Sequence, residues 1–104
     1  MLIATTWRSR PINPDQFNRL MNVWAKLEEK LAKDKSSERL CWYLNADGSG
    51  GVTIDRVDDQ DAAAALQLEL GLSLGEFIDI DSKIVLDMDS AMPSIVAAQG
   101  LANS

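Results

Sequence analysis

The sequence predicts an α+β domain built on a four-stranded antiparallel sheet. Three observations lead there. Four segments alternate apolar and polar residues with a period of two, and two longer ones repeat apolar residues every three to four positions. Along the chain these segments follow one another as β-α-β-β-α-β, with a further helical stretch at the end. The one glycine-dense run, Asp47-Gly48-Ser49-Gly50-Gly51, falls between the second and third strands, where a hairpin has to turn.

Leu2 to Arg8 reads as the first strand, with Leu2, Ala4 and Thr6 on one side and Ile3, Thr5 and Trp7 on the other. Both sides are fairly apolar, as in an interior strand. A helix then begins where Asn13 can cap, Pro14 suits the first turn and Gln16 completes a capping box. Phe17, Leu20, Met21, Trp24, Leu27 and Leu31 carry its apolar stripe to about Lys33. Arg39 to Asn45 is the second strand, with Leu40, Trp42 and Leu44 alternating against Cys41 and Tyr43, and Val52 to Val57 is the third. Asp58 or Asp59 caps a second helix, Gln60 to Leu70, with a small-residue face of Ala62, Ala65, Leu66 and Leu70; Gly71 is expected to end it.

The fourth strand is expected to be unusually long. From Phe77 to Asp89 the even positions read Ile78, Ile80, Ser82, Ile84, Leu86 and Met88, while the odd ones are mostly Asp or Lys. Thirteen residues at about 3.3 Å each would span roughly 43 Å, whereas a typical strand has about 5–6 residues. Either Ser82 marks a bulge or break, or the far half lies against a second copy. Ser90 then starts a short C-terminal helix with Met92, Ile95, Val96 and Gln99 in register, stopped near Gly100.

This order is the ferredoxin-like arrangement, in which two right-handed crossovers place both long helices on one sheet face. The opposite face would be a bare apolar patch. Packing two sheets face to face removes it, with the long fourth strand sealing the edges, so a homodimer is expected.

The 104 residues fit one domain, 1–104, and 46% apolar with 25% charged is ordinary for a globular chain. Met1 to Trp7 lacks a basic region and a cleavage site, so no signal peptide is expected, and no apolar run matches a membrane span. The lone Cys41 fits a reducing compartment, and the cytoplasm is the expected location. Net charge is −6, with eight Lys/Arg against five Asp/Glu in residues 1–39 and two against eleven in 40–104. An acidic chain repels phosphate backbones, so nucleic acid is not an expected partner.

Histidine is absent, which removes Ser-His-Asp and Cys-His catalysis, His-ligated zinc and a proximal haem ligand. Asn45 to Arg56 follows the calcium-loop template in part, yet Arg56 stands where the closing bidentate Glu belongs and the flanks are strands. Gly48-Ser49-Gly50-Gly51 is followed by a strand and not by the helix that a phosphate cradle needs. The acidic ladder Asp79, Asp81, Asp87, Asp89 reads as a charged strand edge, since same-face neighbours lie nearly 7 Å apart, about twice the rise per residue. No metal site and no cofactor are expected. Trp24 reads as core and Cys41 as a small buried residue. Trp7, Trp42 and Tyr43 are the large aromatics on the strands, and Arg56 is the one mid-chain cation, with a guanidinium suited to bidentate contact with a carboxylate.

These features together resemble the dimeric α/β-barrel superfamily and, within it, a family of small bacterial and phage proteins of unknown function. The resemblance rests on the strand ending Thr6-Trp7, Trp42, the turn Asp47 to Gly51, Val57-Asp58-Asp59 before an alanine-rich helix, and the strand from Phe77 to Val85. It implies a homodimer whose cavity, between sheet and helices, holds a small apolar or aromatic ligand or completes the core, with Trp7, Trp42, Tyr43 and Arg56 as the candidate ligand-binding residues and Arg56 holding a carboxylate if it faces that cavity. The alternative it implies is a cofactor-independent monooxygenase- or isomerase-like enzyme acting on a small aromatic substrate, with Trp7, Tyr43 and Arg56 positioning it. The residues identify no base or nucleophile, so no catalytic residue is assigned from sequence and enzymatic activity stays open.

Overall fold

A computed structural model describes all 104 residues, Met1–Ser104. Its elements are β1 (Leu2–Ser9), α1 (Pro14–Lys33), β2 (Ser37–Leu44), β3 (Gly50–Val57), α2 (Gln60–Leu74), β4 (Ile78–Val85) and α3 (Met88–Ala102). The strands form one sheet in the order β2-β3-β1-β4, and every pairing is antiparallel. This is the βαββαβ topology expected from the sequence.

Local chemistry sets the helix ends. The Asn13 side chain accepts the Gln16 backbone N–H at 2.8 Å, and the Gln16 side chain accepts the Asn13 N–H at 3.0 Å, closing the capping box of α1. Asp59, rather than Asp58, caps α2 through the Ala62 N–H. Gly71 does not end α2: its carbonyl accepts the Gly75 N–H at 3.0 Å, so the helix continues to Leu74 and Gly75 is the cap. Glycine permits a stop but does not impose one, and Leu74 is buried in the core, which favours the extra turn.

The expectation of a thirteen-residue fourth strand is corrected. β4 has eight residues and pairs with β1 without a break from Ile78↔Ser9 to Val85↔Leu2. Ser82 therefore carries no bulge; its Oγ lies 2.9 Å from Thr5 Oγ1. The strand stops because the Asp87 carboxylate accepts the Ser90 N–H at 2.8 Å and caps α3, which runs fifteen residues and passes through Gly100. Asp87 and Asp89 belong to this helix start, not to a strand ladder.

On β1 the odd residues Ile3 and Thr5 are buried and Trp7 half-buried, facing the helices. Leu20 and Leu27, two turns apart on α1, pack with Leu74, Phe77 and Ile78; Ile3 and Val57 pack with Ala63 of α2. Each of these side chains larger than alanine stabilises the fold by about 1.5–3 kcal/mol relative to leaving it in water. Leu2, Ala4, Val52, Ile54, Cys41 and Tyr43 point to the opposite face, which neither long helix covers. α3 buries no residue and stands apart from the rest, so the molecule measures 59 × 30 × 22 Å.

Candidate functional site

A cavity of about 380 Å³ lies between the sheet and helices α1 and α2. Its shape depends on an irregularity in β2. Arg39 pairs with Asp55 and Cys41 with Ile54, so one extra residue is inserted between them as a β-bulge. Strict alternation from Arg39 would turn Trp42 to the outer face. The bulge brings Arg39 and Trp42 to the same face, toward the helices.

Three indoles form one wall. Trp24 of α1 stacks on Trp42 with centroids 5.1 Å apart and planes at 29°. Trp7 of β1 meets Trp24 nearly edge-on, at 6.5 Å and 84°. Gly51 makes room for this arrangement, since a Cβ there would fall 2.5 Å from the Trp7 ring. Leu27, Leu31, Leu66, Leu70 and Ile80 add to the apolar lining.

The polar end is built by Arg39 and Asp55. The Arg39 guanidinium lies 4.7 Å from the Trp42 centroid and donates to Glu28 at 2.9 Å. Its Nε is shut away from solvent without a hydrogen-bond partner. The nearest Asp55 oxygen is 3.7 Å away, an ion pair too long to be a hydrogen bond. Asp55 is only 7% exposed. Burial pushes its carboxyl above the ordinary value, against the opposing pull of Arg39 and Thr53.

The four residues singled out from sequence divide evenly. Trp7 and Trp42 line the cavity. Tyr43 is 66% exposed on the opposite sheet face, across from Val52. Arg56 also lies on that face, donating to Asp58 at 2.7 Å and Glu38 at 3.4 Å, so the expectation that it anchors a ligand in the cavity does not match its position. Arg39 occupies the cationic place instead, with Asp55 beside it. Trp24, read as plain core, is half-buried and lines the cavity as well.

Elsewhere, local bonds occupy the other candidate groups. Asp47 accepts the Ser49 N–H and Asn45 donates to the Ser49 hydroxyl, closing the β2–β3 hairpin. Asp79 accepts from Arg10 at 2.6 and 2.8 Å. No group of three or more Cys, Asp or Glu side chains is assembled to hold a metal ion.

The raised Asp55 carboxyl has a thermodynamic consequence. Its folded pKa lies above the unfolded one, so its contribution to stability falls as pH rises through that window and returns on acidification. Asp34, Asp47 and Asp87, lowered by hydrogen bonds from serines, act in the opposite sense and lose stability as pH falls. Subtracting Asp55→Asn from wild type isolates the first effect. Between the ordinary carboxylate range and neutrality, the difference in denaturation midpoint is expected to move toward wild type as pH is lowered. A difference independent of pH would show that Asp55 titrates normally.

No family model matches the chain, and no curated protein matches it. Solved structures do. A candidate antibiotic biosynthesis monooxygenase of Nitrosomonas europaea superposes with a TM-score of 0.54 at 14% identity, covering 83% of this chain and 99% of that one. The Rv0793 protein of Mycobacterium tuberculosis gives 0.56 at 19% identity, covering 84% and 97%. A further candidate antibiotic biosynthesis monooxygenase, from Deinococcus radiodurans, gives 0.53 at 9% identity, covering 84% and 94%. What they share with this chain is the ferredoxin-like βαββαβ fold. At these identities the likeness extends to the fold, and the chemistry has to be argued from this chain's own cavity. No helix is long and apolar enough to cross a membrane.

Proposed function

We propose that this chain is a homodimeric binding module whose helix-covered cavity takes a small, planar, largely apolar ligand. The observation that carries the reading is the set of three indoles around a space of about 380 Å³ with one polar end. That volume lies within the range of small-molecule sites, and an apolar wall with few convergent polar groups is their usual composition. Trp7 and Trp42 contact the ligand from the sheet and Trp24 from α1. Tyr43 and Arg56, on the opposite face, meet the second copy together with Leu2, Ala4, Val52 and Ile54. Native mass spectrometry of freshly purified protein at micromolar concentration is expected to give twice the 11.4 kDa chain mass with a small adduct. A lone-copy mass would overturn the dimer. Indifference of the tryptophan emission to naphthalene would overturn the binding cavity.

A second reading is carried by Asp55, a buried carboxyl facing an aromatic cavity, which is a placement suited to general-base work. On this reading the chain is a cofactor-independent monooxygenase- or isomerase-like enzyme for a small aromatic substrate, in keeping with the names of two structural neighbours. Asp55→Asn protein would then retain an unconverted molecule of different mass or structure from that held by wild type. Identical retained molecules in both would remove the enzymatic reading.

A further inference from the structure

We infer that Asp55 anchors the ammonium group of a planar aromatic amine, whose ring lies against the apolar walls of the cavity. The inference rests on the binding reading above and names the chemical class of its ligand. Asp55 borders the cavity and is only 7% exposed. A carboxylate buried to that degree normally has donors on both oxygens, with about four acceptor sites to fill. Here Arg39 Nε stops 3.7 Å short, beyond hydrogen-bond length, and Thr53 brings a single hydroxyl close by. One hydroxyl leaves at least one carboxylate oxygen without a donor. That oxygen is not shut away as Arg39 Nε is, so it is open to the space that Asp55 lines.

Charge selects a cation. Glu28 already holds Arg39 at 2.9 Å, so one guanidinium stands against two carboxylates and Asp55 is left uncompensated. Burial pushes its carboxyl upward, which is the mark of that shortfall. The other charged groups of the lining, Asp34 and Glu38, are exposed carboxylates, and no lining residue besides Arg39 is cationic. A cation enters such a site with the field and an anion against it.

An ammonium supplies both things that Asp55 lacks, a donor and a positive charge. A hydroxyl supplies only the donor, and a quaternary ammonium only the charge. Arg39 already lies over Trp42 and Trp24 stacks on that ring, so the carboxylate, and not this indole, is left to receive the cation. Trp7, Leu66, Leu70 and Ile80 suit the flat hydrocarbon body.

The test is equilibrium dialysis of wild-type protein at pH 7 and about 0.15 M salt, which screens contacts with exposed carboxylates. The probes are 2-(aminomethyl)naphthalene, 2-ethylnaphthalene, 2-naphthalenemethanol and 2-naphthoate. The amine is expected to bind about tenfold tighter than 2-ethylnaphthalene, as a hydrogen bond to a charged group implies, and to be displaced by excess 2-naphthalenemethanol. The alcohol falls between these two, and the naphthoate is weakest. Asp55→Asn is expected to bring the ratio of amine to hydrocarbon affinity to about twofold or less, since the charge is gone. Equal binding of amine and hydrocarbon, tighter binding of the alcohol or naphthoate, amine that the alcohol does not displace, or an undiminished ratio in Asp55→Asn would each overturn the anchor while leaving the cavity reading intact. Failure of all four probes to bind would instead overturn the cavity reading and this inference with it. The wild-type ranking needs no variant to fold.

Discussion

Gly50→Ala is expected to leave little or no folded protein, with a loss of stability of about 3 kcal/mol or more. Gly50 opens β3 opposite Arg8, at the point where the hairpin turn joins the sheet. A Cβ built there would stand 1.9 Å from the Trp7 carbonyl oxygen and 2.9 Å from its carbon. Those atoms are backbone of the central strand β1, so relief requires the strands to part. The adjoining Asn45 N–H to Gly50 carbonyl bond, 2.8 Å long, would be strained by the same movement. Gly48, at φ 75° in the same turn, has open space around its Cβ position, so Gly48→Ala would cost only the left-handed backbone penalty of about 1–2 kcal/mol. Chemical denaturation of the two variants side by side checks this: Gly50→Ala as stable as Gly48→Ala would mean that the close approach of β3 to β1 is not rigid.

Phe77→Ala is expected to cost about 3–5 kcal/mol, the range for removing a buried aromatic ring. Phe77 is 2% exposed and packs among Leu20, Leu27, Leu74 and Ile78, where α1, the end of α2 and the start of β4 meet. The Arg19 guanidinium lies 5.7 Å from the ring and bonds to Glu76, tying the same junction together from outside. Phe77 does not line the cavity. The variant should therefore unfold at lower denaturant while, under folding conditions, its tryptophan emission responds to naphthalene as that of wild type does. A stability change under 1 kcal/mol would show that the junction repacks without the ring. Loss of the naphthalene response in a variant that remains folded would show that the cavity depends on this corner of the core.

The residues of the candidate site were only half legible in the sequence, and β3 shows why. Its apolar residues Val52 and Ile54 invite the reading that they face the core. Instead Thr53, Asp55 and Val57 point toward the helices and are buried, while Val52 and Ile54 sit on the face that neither α1 nor α2 covers. When both faces of a strand are apolar or shielded, alternation identifies two faces but not which one is inside. Arg39 was hidden for a related reason. Residues 39 to 44 alternate cleanly on paper, yet the bulge after Arg39 shifts the phase and sends Trp42 to the same side. Bulges leave little compositional trace when no glycine marks them. The misplaced end of β4 has a local cause: apolar alternation continues through Leu86 and Met88, and only the Asp87–Ser90 capping contact ends the strand.

What the sequence determined by itself was the kind and order of the elements: four period-two segments, the capped amphipathic helix after Asn13, and the glycine turn between β2 and β3. These depend on side chains within a few residues of one another, so short-range sterics and hydrogen bonding suffice to specify them. Only the tertiary structure decided which sheet face meets the helices and that Arg39 and Asp55 stand together among three indoles. Those outcomes come from packing between segments distant along the chain, where the competing arrangements differ in long-range contacts and hardly at all in local preference.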